Sequence, residues 1–267
     1  MLIASHDIAA INDLKVQLST NFEMDFGGAK KILVMHIRRN RKEKRLLLCQ
    51  TDYLTKVVEK FDIKNAKPVL TPVTSHFKLS KDQEPETKEE KAYMENVPYS
   101  NAVGCLMYAM VCTRPDIAYG VSLVSRHITN PGKYHWQAVK WLLRYIKGTL
   151  GKGLVFGKGQ VSAEIIQGFV DSDYFGNIDT RKSQTGLVFT IFGTSVSWKT
   201  NLQKVVALST TAVEFMAITE AVKDALWMKS LMTELGHSQN RVLVHSDSQG
   251  AIHLSKHHVF HERSKTH

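Results

Sequence analysis

The sequence predicts a mixed α/β chain of the α+β kind, helix-rich at first and strand-rich towards its end. Three observations carry this. A proline-bearing polar stretch at 63–97 parts two apolar regions. A strongly amphipathic helical pattern closes on Gly148-Thr149-Leu150-Gly151-Lys152-Gly153. Beyond it come strand-like runs, one long helical pattern, a further strand and a helix.

In chain order, Met1–Ala4 reads as a strand and Asp7–Asn21 as a helix, followed by a Gly27-Gly28 break. Apolar runs at Ala29–Ile37 and Arg45–Cys49 flank Arg38-Arg39-Asn40-Arg41-Lys42, which predicts a hairpin with a cationic turn. Thr51–Phe61 is a helix with Tyr53, Val57 and Val58 at helical spacing and Phe61 closing the stripe. Pro68, Pro72, Pro85 and the polar run Lys81–Lys91 make 63–97 a linker, partly disordered or wrapped over another surface. Tyr99–Cys112 is an apolar helix, and Thr113-Arg114-Pro115-Asp116 restarts a helix with Pro115 at its first position. In Pro131–Gly148 one face carries Trp136, Val139, Leu142, Leu143 and Ile146, the other Lys133, Lys140, Arg144 and Lys147. The segments are therefore 1–62, 63–97, 98–153 and 154–267.

In the last segment Leu154–Phe156, Glu164–Asp171, Gly186–Phe192 and Ser195–Trp198 read as strands. A helix from Thr211 to Leu235, a strand at Arg241–Ser246 and a short helix from Ser248 to Lys256 follow. A three-stranded antiparallel start, a long helix, a further strand and a helix make up the layout of a ribonuclease H-like domain. Asp171 ends one strand, Glu214 stands near the start of the long helix, and Asp247 ends the later strand.

Carboxylates on three separate elements can converge, and convergent carboxylates hold Mg²⁺ beside a phosphate. Each has an alternative reading: the aspartates as turn formers, and Glu214 as the end of a capping box, Thr211-Ala212-Val213-Glu214. Only their joint placement points to a metal site. Asp173, two along the strand, either supports the metal shell or begins the turn at Tyr174–Asn177. His253 and His257 are spaced i, i+4 and are joined by His258, His261 and His267, but nothing completes a zinc set, which favours exposed histidines. Arg181, Lys182 and Ser183, with Trp198, Lys199, Gln203 and Lys204, form a candidate phosphate track beside the carboxylates. The Lys133–Lys147 face is a second candidate, and either is equally a solvated face.

The net charge of +10 over 267 residues favours nucleic acid through counterion release, or an anionic surface. No basic amphipathic helix or lipidation motif supports a membrane, and no apolar run approaches the roughly 20 residues that span one. The N-terminus shows no signal peptide. Cys49, Cys105 and Cys112 are too few and too scattered for a disulfide framework. The expected setting is intracellular, cytoplasmic or nuclear, and not secreted.

Several stretches together resemble the Pol polyprotein of copia-type long-terminal-repeat retrotransposons. They are Ala29–Leu33, Asn65–Pro72, Pro98–Tyr108, Thr113–Val121, Asn130–Trp136, Asp179–Gly186, Val206–Thr211 and Val259–Lys265. The resemblance implies that 1–62 is the end of a reverse transcriptase palm and its thumb, that 98–153 is a connection, and that 154–267 is a ribonuclease H domain. It implies Asp171, Glu214 and Asp247 as ligands of two Mg²⁺ ions, with Mn²⁺ as a substitute. The implied reaction is hydrolysis of the RNA strand of an RNA/DNA hybrid, with the polymerase portion of an intact Pol as a partner. The family's Tyr-x-Asp-Asp motif and its fourth metal-binding carboxylate are expected beyond either end, so no polymerase activity and little or no nuclease activity are expected. The alternative is a non-catalytic nucleic-acid-binding remnant. Internally, the family carries an acidic residue at Ala212, Trp at Tyr174, Lys-Lys at Asn201-Leu202 and a small residue at Val34.

Overall fold

The computed structural model describes residues 5, 7–23, 29–157 and 165–256. Met1–Ala4, Gly27-Gly28, Glu164, and the Val259–Lys265 stretch with His257, His258, His261 and His267 lie outside the described residues. Helix α1 (Ile8–Asn21) is started by the Asp7 carboxylate, which accepts the Ala9 N–H at 2.8 Å. The run 29–37 is not one strand. It reverses at Leu33 and Val34, with φ of 47° and 59°, into β1 (Lys31–Ile32) and β2 (Met35–Asn40). A β-branched residue resists positive φ, which explains why a small residue is expected at position 34. Arg38 and Arg39 consequently lie within β2, and the cationic turn moves to residues 41–44 before β3 (Arg45–Cys49).

Helix α2 (Thr51–Lys60) buries Leu54, Val57 and Val58 against α4 (Tyr99–Thr113), α5 (Ala118–Ser125) and α6 (Lys133–Gly148). Leu106, Ile117, Val121, Val139, Leu143 and Ile146 fill this first core. The 63–97 segment is a strap laid over α6, with α3 (Lys88–Glu95) near its end. Its backbone carbonyls at Ala66, Lys67, Thr71 and His76 accept from Lys147, Arg144, Trp141 and Tyr134 of α6. Pro68 and Pro72 suit such a path, since an extended strap needs few backbone donors. Arg144 and Lys147 are thereby committed to the strap, which removes them from the second candidate phosphate track.

Strand β4 (Gly153–Phe156) joins β3 antiparallel, so the first sheet runs β1-β2-β3-β4 and takes in a strand expected to open the last segment. The second sheet holds β5 (Ile166–Asp173), β6 (Gln184–Ile191), β7 (Thr194–Leu202) and β8 (Leu243–His245), in the order β7-β6-β5-β8. Its first three strands are antiparallel and β8 is parallel to β5, as the mixed α/β, ribonuclease H-like expectation requires. Helix α7 (Thr210–Glu234) makes the crossover that a parallel pair needs. It buries Val213, Ala217, Ala221, Ala225, Met228 and Met232 against Ile166, Val170, Leu187 and Phe189, and its alanines let the helix lie close to the sheet. Gly168 lies beneath the buried Phe189 ring, where an added Cβ would sit 2.6 Å from Cε1. Helix α8 (Gln249–Lys256) follows β8. Among the described residues no helix is long and apolar enough to cross a membrane.

Candidate metal centre

Asp171 is positioned by β5, whose alternation turns Val170 into the core and leaves Asp171 exposed. Asp247 follows β8, the strand parallel to β5. Glu214 lies just past the first turn of α7. The N-cap of that helix is Ser209, whose hydroxyl accepts the Ala212 N–H at 3.2 Å. Thr211 is therefore inside the helix, and the capping-box reading of Glu214 falls. Its carboxylate is free to point at the sheet.

One oxygen from each of Asp171, Glu214 and Asp247 lies within 4.8 Å of the others. Among the described residues no other group of His, Cys, Asp and Glu gathers in this way. Burial, then the nearby Asp171 and Asp247 charges, push the Glu214 carboxyl above the usual range, against a hydrogen bond from the Ser172 backbone. Its Oε2 is buried without a hydrogen-bond partner. A half-buried carboxylate with an unsatisfied oxygen, crowded by two like charges, suits a divalent cation, which would satisfy the oxygen and offset the repulsion. Asp173 stands apart from this group: its Oδ2 accepts the Tyr119 hydroxyl at 3.0 Å, joining β5 to α5.

The candidate phosphate track is divided by the structure. Ser183 is fully buried and its hydroxyl accepts the Phe175 N–H, so it shapes the β5–β6 loop and does not face a ligand. Gln203 is also buried; its amide donates to Ser172, Thr185 and the Val213 carbonyl, tying the end of β7 to β5, β6 and α7. Both corrections have one cause, the packing of loop ends under the sheet, where polar side chains must satisfy backbone groups. The Trp198 indole donates to the Met110 carbonyl at 3.0 Å. Lys199 lies 3.9 Å from Glu220 and 3.8 Å from Asp224 on α7, so much of its charge is answered within the chain. Arg181 and Lys204 are exposed and Lys182 is half-buried. The pairing of Lys199 across sheet and helix has no local signal in the sequence. Phe169 shares a strand face with Asp171 by alternation, and His245 pairs with Phe169 across β5 and β8.

The family model for reverse transcriptase (RNA-dependent DNA polymerase) matches residues 1–75. The retrovirus-related Pol polyprotein from transposon TNT 1-94 of Nicotiana tabacum is 52% identical over 99% of this chain, which spans 20% of that polyprotein. The corresponding polyprotein from transposon RE1 of Arabidopsis thaliana is 29% identical over 99% of the chain, with 18% of its own length covered. An uncharacterized mitochondrial protein of the same plant, AtMg00810, is 30% identical over 85% of this chain and 90% of its own length. No solved structure matches significantly. The similarity to these polyproteins extends over 99% of the chain, and the chain belongs to the retrovirus-related Pol polyproteins of copia-type transposons.

Proposed function

We propose that Asp171, Glu214 and Asp247 form a ribonuclease H-type centre that hydrolyses the RNA strand of an RNA/DNA hybrid. The observation that carries this is the convergence of three carboxylates from β5, α7 and the end of β8 within 4.8 Å. Mg²⁺, or Mn²⁺ in its place, supplies charge there to activate a water and to offset negative charge on the scissile phosphate. The chain's own part is to hold three oxygens on rigid elements. Asp171 sits on the central strand, where the Ser172 N–H fixes its Oδ1 at 2.8 Å, and Glu214 must be ionised to serve as a ligand. Arg181, Lys182 and Lys204 remain to receive the hybrid's backbone. With Lys199 paired and Asn201-Leu202 uncharged, turnover is expected to be low.

The test is cleavage of a labelled RNA/DNA hybrid by the purified chain in Mg²⁺ and in Mn²⁺, beside Asp171→Asn. Cutting that the variant abolishes supports the reading. Folded protein that binds the hybrid with steep salt dependence but cuts it in neither metal selects a non-catalytic nucleic-acid-binding chain, which the +10 charge favours.

A further inference from the structure

A cleft of about 620 Å³ separates the open face of the second sheet from the corner between α4 and α5. Pro115 and Tyr119 wall one side; Phe169, Trp198 and His245 line the other, and Asp171 and Asp247 belong to the same lining. We propose that this cleft is a base-binding subsite, taking one unstacked nucleobase of the strand whose phosphate meets the carboxylates. It rests on the reading above that these carboxylates engage a phosphate.

The geometry of the two parallel strands makes the case. Phe169 and His245 are register partners across β5 and β8, and their rings stack at 4.8 Å with an angle of 10°. Both side chains are exposed to the cleft, Phe169 by 45% of its surface. Each stands two residues before a carboxylate, Asp171 and Asp247. On a strand, two residues are about 6.6 Å along the same face. A stacked aromatic platform one such step from a phosphate-binding centre meets the part of a nucleotide that lies beyond its phosphate. Trp198 is held by its bond to the Met110 carbonyl, so this ring is ordered before any ligand arrives. A base inside a duplex offers only its edge, whereas an unpaired one offers a π face that aromatic side chains accept regardless of sequence. The volume lies within the range of pockets that enclose small ligands.

A short RNA single strand carrying one 2-aminopurine, titrated with the chain in Mg²⁺, reports stacking through quenching of its fluorescence. Quenching is expected to saturate, and Phe169→Leu is expected to weaken binding about tenfold, within what one base stacked on an aromatic ring contributes. His245→Ala should weaken it as well, and thermal melts confirm that each variant folds. Binding and quenching unchanged in both variants would overturn the subsite. Hybrid cleavage measured on the same proteins separates the two readings. Phe169-dependent quenching without cleavage keeps the subsite and removes the nuclease, whereas cleavage with Phe169-independent quenching does the reverse. A parent chain that neither quenches nor cuts overturns both.

Discussion

Arg114 is buried to 1% exposure, and its guanidinium bonds to both Asp116 oxygens, at 2.9 and 2.7 Å, and to the Thr149 carbonyl and hydroxyl. Burial alone would raise the Asp116 carboxyl, but the bonds and charge of Arg114, with a bond from Tyr145, hold it below the usual range. Removing one partner of a fully buried ion pair costs about 3–5 kcal/mol, and the half-exposed side of Asp116 screens part of that. Asp116→Asn is therefore expected to destabilise the chain by roughly 2 kcal/mol, read from chemical denaturation midpoints at constant slope. Val34 offers the opposite case. At φ of 59° its Cβ crowds the backbone at a cost of about 1–2 kcal/mol, which glycine avoids. Val34→Gly should raise stability by about 1 kcal/mol after the entropy that glycine loses on folding. A fall in melting temperature would show that the side chain's packing outweighs the strain.

Elements here are placed by their ends as much as by their faces. Ser209 caps α7, which makes Ala212 the third helical residue, the position from which an acidic side chain reaches back to the cap backbone. Helix capping thus gives a reason for the acidic residue expected at 212. Ala212→Glu should complete the capping box and stabilise the chain by roughly 0.5–1 kcal/mol. The check is a melting curve, and an unchanged or lower midpoint would show that crowding by Glu214 and the aspartates prevails. In α6, by contrast, part of the polar face is covered by the strap. Its Trp141, Arg144 and Lys147 donate to strap carbonyls that would otherwise lie over the helix unsatisfied.

Across the whole molecule the halves meet through side chains from both. Arg126 donates to the Gly176 carbonyl and to Gln184, Tyr119 to Asp173, Thr194 to the Val155 carbonyl, and the Lys81 N–H to Asp179. Near this junction, between α5, α6 and the strap, His127 and His135 stack at 3.9 Å and 12°. His135 accepts the Gly132 N–H at Nδ1, and its Nε2 faces the Ser80 carbonyl, so the neutral ring fits its partners. Burial first, then the neighbouring His135, pushes His127 down to about 4; burial also lowers His135. The unfolded chain thus binds more protons than the folded one between the ordinary histidine value of 6.5 and about 4. Stability is unaffected by His127 above that window and falls through it, by about 3 kcal/mol at pH 4. Denaturation series from pH 7 to pH 4 should show this slope, and His127→Phe should flatten it.

Strand and helix order was legible in the chain because periodicity reports which face of an element is buried, and α2, α4, α6, β6 and α7 lie close to where their patterns place them. That Asp171, Glu214 and Asp247 can converge was legible from their placement on three separate elements, and one oxygen of each does lie within 4.8 Å of the others. Partner choice was not. That β4 pairs with β3, that Gln203 and Ser183 turn inward, and that Lys199 meets Glu220 and Asp224 depend on residues distant in sequence. Local pattern dictates whether a segment coils or extends and which side is apolar. Which surface meets that side, and whether a polar residue faces a ligand or an orphan backbone group, is decided when the whole chain closes its hydrogen bonds and its core.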